Sequence, residues 1–267
     1  MKDRVAIVCG ASKGMGKAIA KEFAKNGAKV VLVARNEENL LKTMQEITAE
    51  NVQRFDKGIT NRVLAIPGDV RNKDDIKRVI KETVDEFGAI HILVNNAGGP
   101  PAGYFEDFKD DDWYNAFNLT FMSVVRFIRE VAPYMKNQKY GRIINITSMS
   151  VKQPIDNLIL SNTMRLAVVG LAKTLATQWA KYGITINNIA PGPIYTERIK
   201  ELSWSIAEKK GITYEEALKS WIKEVPAERF GEPEEVAYLA SFIASERAGY
   251  INGTTIQIDG GTIKFVL

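Results

Sequence analysis

The sequence predicts a doubly wound α/β domain, in which helices cover both faces of a parallel sheet. Short apolar runs alternate with segments of helical periodicity along the whole chain, and a glycine-rich turn directly follows the first run. Strands of a parallel sheet are buried on both faces and therefore form continuous apolar runs. A chain of 267 residues with 45% hydrophobic and 25% charged residues is long enough to bury one large core.

Seven apolar runs are predicted as strands, and the segments between them as helices. After the first run, Ile19 and Phe23 share one helical face and Gly27 ends the helix. The same unit then repeats, as parallel neighbours require, because their connection must cross back over the sheet. The predicted strands are 5–9, 30–34, 63–66, 90–94, 142–147, 184–189 and 255–258, and the apolar helical faces lie within 19–24, 40–47, 76–87, 112–135 and 161–182.

Residues 195–230 interrupt this rhythm with a segment rich in charge and tryptophan, including Trp204 and Trp221. We predict that they form two helices inserted between the sixth strand and the last βα unit. Their apolar residues, such as Ile199 and Leu202, would line a largely apolar pocket beneath a helical lid. With no linker-like stretch elsewhere, residues 1–267 are predicted to form a single domain.

Composition and charge exclude several classes of function. Lys and Arg number 36 against 32 Asp and Glu, a net charge of +4 that is spread along the chain, so no nucleic-acid or membrane partner is expected. Cys9 and His91 are the only cysteine and histidine, which excludes an intrachain disulfide and leads us to expect no metal site. Since neither a signal peptide nor an apolar run of about 18 residues is present, we expect a cytoplasmic protein.

The turn after the first strand predicts a phosphate-binding site. Glycines there permit a tight turn and let the backbone approach a pyrophosphate, while the following helix offers free N–H groups and the positive end of its dipole. The spacing is G-x-x-x-G-x-G. The residues predicted to hold the cofactor here are Gly10, Ser12, Lys13, Gly14, Met15 and Gly16.

The end of the second strand bears on the choice of cofactor. An acidic residue at this position binds the ribose 2′-hydroxyl of NAD(H), whereas a basic one accommodates the 2′-phosphate of NADP(H). Here the strand leads into Arg35, which can pair with a phosphate through two N–H groups, and Lys13 adds a second cation. NADP(H) is therefore favoured over NAD(H). Stacking of Arg35 on adenine is the alternative, and the nearby Glu37 and Glu38 weigh against a 2′-phosphate.

Motifs along the rest of the chain resemble those of the short-chain dehydrogenase/reductase family, in its 3-oxoacyl-(acyl-carrier-protein) reductase branch. Gly68-Asp69-Val70 follows the third predicted strand, Asn95-Asn96-Ala97-Gly98 the fourth, and Pro191-Gly192-Pro193-Ile194-Tyr195-Thr196 the sixth, and segments 230–236 and 258–261 match as well. The resemblance implies a Rossmann fold, oxidoreduction of a carbonyl/alcohol pair, and a homotetramer or homodimer. It also implies cofactor contacts from Asp69, Val70, Asn96, Ala97, Gly98, Arg165, Pro191, Gly192, Ile194 and Thr196.

The catalytic residues implied by the resemblance are only partly present. The family mechanism uses a serine, a tyrosine, a lysine and an asparagine; Ser148 matches the serine and Asn118 the asparagine. The tyrosine and lysine positions hold Ser161 and Arg165, which share one helix face at i, i+4 spacing. A serine hydroxyl is a far weaker acid than a phenol, and an arginine holds charge without releasing a proton.

Three hypotheses therefore remain open. The protein could be a reductase with another proton donor, namely Tyr195, Lys152, Tyr104 or a chain of Ser148, Ser161 and water. It could be a catalytically weak or inactive pseudoenzyme that binds cofactor as a sensor or interaction partner. It could also carry out chemistry that needs no strong proton donor. The expected substrate is a small carbonyl compound or alcohol with an apolar portion.

Overall fold

The computed structural model describes residues 1–52 and 62–266, and among them seven parallel strands form one sheet. The strand order is β3-β2-β1-β4-β5-β6-β7, with every neighbouring pair parallel. This order reverses direction between β1 and β4, where ligands of open α/β sheets bind. The strands are β1 (Val5–Cys9), β2 (Lys29–Ala34), β3 (Val63–Pro67), β4 (Ile92–Asn95), β5 (Gly141–Ile146), β6 (Ile184–Pro191) and β7 (Thr255–Ile258).

Helices flank the sheet on both sides, and each side has its own apolar core. Alternate strand residues divide between them: Ala6 and Val8 join the core beneath α1, α2 and α9, while Ile7 and Cys9 join the core beneath α3, α5 and α6. The helices are α1 (Gly14–Lys25), α2 (Glu37–Val52), α3 (Lys73–Phe87), α4 (Asp110–Ala116), α5 (Ser123–Asn137), α6 (Ile159–Trp179), α7 (Glu197–Lys210), α8 (Tyr214–Lys223) and α9 (Pro233–Ala244).

The doubly wound sheet and the two inserted helices are confirmed, since α7 and α8 fall within residues 195–230. In the described part of the chain, no helix is both long and apolar enough to span a membrane. The helix predicted over 112–135 is interrupted, because a π-helical segment, Phe117–Met122, separates α4 from α5. Such segments often occur at functional sites, and this one contains Asn118.

A chain of polar side chains crosses the buried sheet from β4 to β7. Asn95 donates from Nδ2 to Oδ1 of Asn145 at 2.9 Å, and Asn145 donates in the same way to Asn188 at 2.9 Å. Asn188 in turn donates to Oγ1 of Thr255 at 3.1 Å. The three amides are at most 5% exposed. Because unpaired buried amides are costly, this row of hydrogen bonds fixes the register of the four strands.

Candidate functional site

The glycine-rich turn between β1 and α1 has a backbone that larger residues would disrupt. Gly10 has a φ of +64°, and a Cβ on it would stand 2.3 Å from the carbonyl oxygen of Asn96. A Cβ on Gly16 would stand 2.1 Å from the carbonyl oxygen of Gly10. The N-cap residue of α1, Lys13, makes no side-chain hydrogen bond to the helix, and the first turn contains no acidic residue. The free N–H groups therefore form a positive cradle that suits a diphosphate.

The other predicted cofactor segments lie around this cradle. Asn96 Nδ2 donates to the carbonyl oxygen of Cys9 at 3.2 Å, which ties the segment after β4 to the end of β1. Thr196 Cγ2, in the segment after β6, lies 3.3 Å from where a Cβ on Gly14 would stand. The fold thus brings together segments that are about 80–180 residues apart in the sequence.

The adenine end of the cleft carries two arginines, of which sequence reasoning identified only Arg35. Arg35 is exposed just beyond β2. Asp69 accepts from Arg71 Nη2 at 2.6 Å and from the Arg71 backbone N–H at 2.9 Å. The hydrogen bond from the Arg71 side chain is the main reason that the pKa of Asp69 is lowered, and Arg35 contributes through its charge. The Asp69 carboxylate is therefore already paired, while the exposed Arg35 is available for a phosphate.

Ser161 and Arg165 form a hydrogen-bonded pair at the start of α6. Arg165 Nε donates to Ser161 Oγ at 3.1 Å, and Arg165 Nη1 donates to the carbonyl oxygen of Ile146 at the end of β5, at 2.9 Å. Ser161 is 6% exposed. Because Ser161 Oγ accepts the bond from Arg165, its own hydrogen is free to be donated to a ligand.

The Arg165 guanidinium of this pair stays positively charged although it is buried. Burial, together with the charge of Arg198, lowers the pKa of Arg165 to about 10, so the guanidinium is protonated at neutral pH. A hydrogen bond from a cation favours the ionised form of its acceptor. Arg165 therefore favours negative charge on Ser161 Oγ and offsets part of the cost of burying that charge.

Ser148, Ser161 and Arg165 line one cavity of about 120 Å³ beneath α7 and α8. Ser148 follows β5, and its Oγ accepts from the backbone N–H of Ser150 at 3.1 Å. Predicted cofactor residues at the end of β6 and in the segment after it belong to the lining, namely Pro191, Gly192, Ile194 and Thr196, as does Met15 of α1. The apolar part of the lining also includes Met149, Ile155, Leu158, Ile199, Leu202 and Trp221. A larger cleft of about 390 Å³ between α1, α2 and α9 contains none of the predicted site residues.

Several predicted candidates lie outside the lining of this cavity. Tyr195 is 42% exposed and packs against the Phe230 ring, at a centroid distance of 5.6 Å. Tyr104 is 54% exposed, and neither it nor Lys152 belongs to the lining. Asn118 also lies outside it, where its Oδ1 accepts from Arg126 Nη1 at 2.6 Å. Of the proton donors considered from the sequence, only Ser148 and Ser161 reach the cavity.

Two further lining residues stand out. Arg198 was not predicted from the sequence, although it stands only two residues after the predicted cofactor residue Thr196. Trp221 of the predicted lid also lies in the lining. His91, by contrast, has a structural contact: its Nδ1 accepts from the Val5 backbone N–H at 3.0 Å.

A doubly wound sheet with a glycine cradle at its switch point, and polar side chains at the end of β5 and the start of α6, defines a nucleotide-dependent enzyme fold. The chain belongs to the short-chain dehydrogenase/reductase family: a family model described as enoyl-(acyl carrier protein) reductase matches residues 10–262. The family resemblance found in the sequence is thereby confirmed.

Individual relatives match over almost their full lengths. The 3-oxoacyl-(acyl-carrier-protein) reductase FabG of Staphylococcus epidermidis is 32% identical over 260 residues, covering 97% of this chain and 98% of the relative. The NADPH-dependent reductase BacG of Bacillus subtilis is 30% identical over 266 residues, covering 100% of both chains. The crystal structure of L-sorbose reductase from Gluconobacter frateurii with NADPH and L-sorbose superimposes with a TM-score of 0.91 at 32% identity, over 100% of this chain and 98% of that one.

Proposed function

We propose that this protein is an NADP(H)-dependent oxidoreductase acting on a carbonyl/alcohol pair, in which Ser161 donates the proton and Arg165 holds Ser161 in place. The observation that carries the proposal is the placement of the Arg165–Ser161 pair in the same cavity as the cofactor segment after β6. The relatives named as NADPH-dependent, or solved with NADPH, support the choice of cofactor.

The residues of the cradle suit a dinucleotide. Gly10 and Gly16 allow backbone segments to approach so closely that a Cβ would not fit, and the uncapped start of α1 suits a diphosphate. Arg35, exposed beyond β2, suits a 2′-phosphate. Lys13 lies 3.7 Å from Glu201 of α7, so a cofactor in the cradle would also be in reach of the lid.

The chemistry follows from the geometry of the pair. A bound NADPH supplies a hydride to the carbonyl carbon of the substrate. Ser161 donates its free hydrogen to the carbonyl oxygen as negative charge develops there, and Oγ regains a proton from water afterwards. Arg165 keeps its own proton throughout and stabilises the transient negative charge on Oγ. Ser148, in the same lining, is placed to donate a second hydrogen bond to the substrate oxygen.

The pseudoenzyme alternative is supported by a specific observation. Among the described residues that line the cavity there is no tyrosine, lysine or histidine, so no side chain there titrates near neutral pH as a strong general acid does. Such a protein would bind NADPH and consume it slowly or not at all. Turnover of NADPH with a carbonyl compound therefore decides between the two functions.

The first experiment is an equilibrium titration with NADPH and with NADH, read by cofactor fluorescence. We expect tight binding of NADPH and weak binding of NADH. The Arg35→Ala variant should bind NADPH about 10- to 100-fold more weakly, because a charge-assisted hydrogen bond contributes about 1.5–3 kcal/mol, and should leave NADH affinity within about twofold. Arg247→Ala, which removes an exposed arginine after α9, is the matched control.

Each outcome of the titration has a defined meaning. Equal affinity for NADPH and NADH would overturn the role of Arg35. Binding of neither cofactor would overturn both the reductase and the cofactor-sensor hypotheses.

The oligomeric state and the location of the protein stay predictions. Size-exclusion chromatography with light scattering would test the predicted homotetramer or homodimer, and cell fractionation would test the predicted cytoplasmic location.

A further inference from the structure

Arg198 lines the cavity, and its guanidinium forms only a loose ion pair with a neighbouring carboxylate. It lies in the first turn of α7, and its Nη2 stands 3.2 Å from where a Cβ on Gly99 would be and donates to the carbonyl oxygen of Pro100 at 2.7 Å. The nearest acidic oxygen, Glu201 Oε2, is 3.7 Å from Nη1. Glu201 is also shared with Lys13 at 3.7 Å. Arg198 therefore keeps N–H groups, and much of its charge, for another partner.

The lining of the cavity is positively charged, and the Glu201 carboxylate that pairs loosely with Arg198 lies outside it. Among the described residues of the lining, the charged side chains are Arg165 and Arg198, and no acidic residue is present. Burial is the main cause of the lowered pKa of Arg165, and the charge of Arg198 adds to it, as expected of two cations that line one cavity. Partly buried like charges are unfavourable, and an anion bound between them would relieve the repulsion.

The lining also contains a buried hydrogen-bond donor with no acceptor. Trp221 Nε1, in α8, is inaccessible to solvent and makes no hydrogen bond among the described residues. Buried indole N–H groups normally have a partner. Trp221 and Arg198 line the same cavity, so an acceptor group of a bound ligand is the candidate partner for this N–H.

From these three observations we propose that the substrate is an oxo acid, or the corresponding hydroxy acid, whose carboxylate is bound by Arg198 and the indole N–H of Trp221. The apolar part of the substrate would contact Ile155, Leu158 and Leu202, and Ser161 would face its carbonyl oxygen. This inference rests on the proposed function for treating the cavity as a substrate site, and it names the substrate class of that site. Arg198 and Trp221 are then specificity-determining residues on the lid.

The test compares two ligands that differ only at the carboxyl group, the anion 5-oxohexanoate and its neutral methyl ester. Each is titrated into the NADP⁺-loaded protein by ligand-observed NMR, so that binding is measured without turnover. We expect the acid to bind at least tenfold more tightly than the ester. Arg198→Met should reduce this preference to threefold or less, and Trp221→Phe, which keeps the aromatic packing and removes the N–H, should weaken acid binding about 3- to 10-fold.

Two further variants test whether the effect on acid binding comes from the charge of Arg198 itself. They distinguish it from a general loss of positive charge and from damage to the fold. Lys200→Met removes a cation of the same helix that is paired with Glu197 at 2.7 Å and lies outside the lining; it should leave acid affinity within twofold. Arg198→Lys keeps a positive charge and should retain part of the preference. Titration of NADPH into each variant reports whether the cradle is intact.

Three results would overturn the inference. The acid and the ester could bind equally to the wild type, the ester could be reduced with the same kcat/KM as the acid, or Arg198→Met could weaken NADPH binding as strongly as acid binding. In the last case Arg198 would serve the cofactor diphosphate. Preferential binding of the acid without any NADPH-dependent reduction would instead refute the proposed function and leave the carboxylate site standing.

Discussion

Replacing Ser161 with alanine removes the hydroxyl that Arg165 holds in the cavity, and we expect kcat/KM for carbonyl reduction to fall about 10²- to 10⁴-fold. This range is what a positioned general acid contributes, and it corresponds to about 3–5 kcal/mol of transition-state stabilisation. The loss should be mainly in kcat, because the proton is needed as the hydride arrives and NADPH contacts are unchanged. The assay is the absorbance decrease of NADPH with 5-oxohexanoate.

The same substitution has a second, smaller consequence for stability. It leaves Arg165 Nε, which donates to Ser161 Oγ at 3.1 Å, without its acceptor in a buried position. We expect the free energy of unfolding in urea to fall by about 1–3 kcal/mol. Thr163→Ala is the matched control, since it removes a hydroxyl from the exposed face of the same helix, where Oγ1 donates to the carbonyl oxygen of Ile159; its kcat/KM should change less than twofold.

Activity within threefold of the wild type in Ser161→Ala would refute the role of Ser161 as proton donor. The double variant Ser161→Tyr, Arg165→Lys tests the related argument that weak acid strength limits the rate. It places a phenol and an amine at the same i, i+4 positions, so it should reduce general carbonyl substrates that the wild type handles poorly. No gain, with NADPH binding intact, would show that the missing phenol is not the limiting feature.

Two further predictions concern the cradle and the sheet. Gly16→Ala should abolish NADPH binding in a fluorescence titration, because the new Cβ would stand 2.1 Å from the Gly10 carbonyl oxygen. Gly170→Ala is the control and should leave NADPH binding unchanged, because a Cβ there meets nothing within 4 Å. Asn145→Leu should lower the free energy of unfolding in urea by about 2–6 kcal/mol, since two flanking amides lose a partner worth about 1–3 kcal/mol each. Thr255→Val, at the end of the same row, removes one partner and should cost less than half as much. Equal losses would contradict this count of lost partners.

The elements of the fold were predictable because their causes are local. Each strand is a short apolar run, and the predicted limits differ from the observed ones by at most two residues, as for β4, predicted at 90–94 and found at Ile92–Asn95. The π-helical segment Phe117–Met122 was not predicted, since its apolar residues keep the spacing of an ordinary α-helix. The row from Asn95 to Thr255 was also missed. Asparagines within or beside apolar runs look like interruptions, and only the strand register aligns them.

The difference between local and long-range causes also explains which parts of the site could be predicted from the sequence. The cradle depends on the space around Gly10 and Gly16, a steric requirement that the spacing of the glycines shows directly. Arg198 could not be found in this way, because its bond to the Pro100 carbonyl oxygen joins positions 98 residues apart. Its position over the cavity depends on how α7 folds back across the sheet. The family motifs therefore indicate the predicted cofactor segments through local spacing, whereas Arg198 and Trp221 enter the lining only through the packing of α7 and α8.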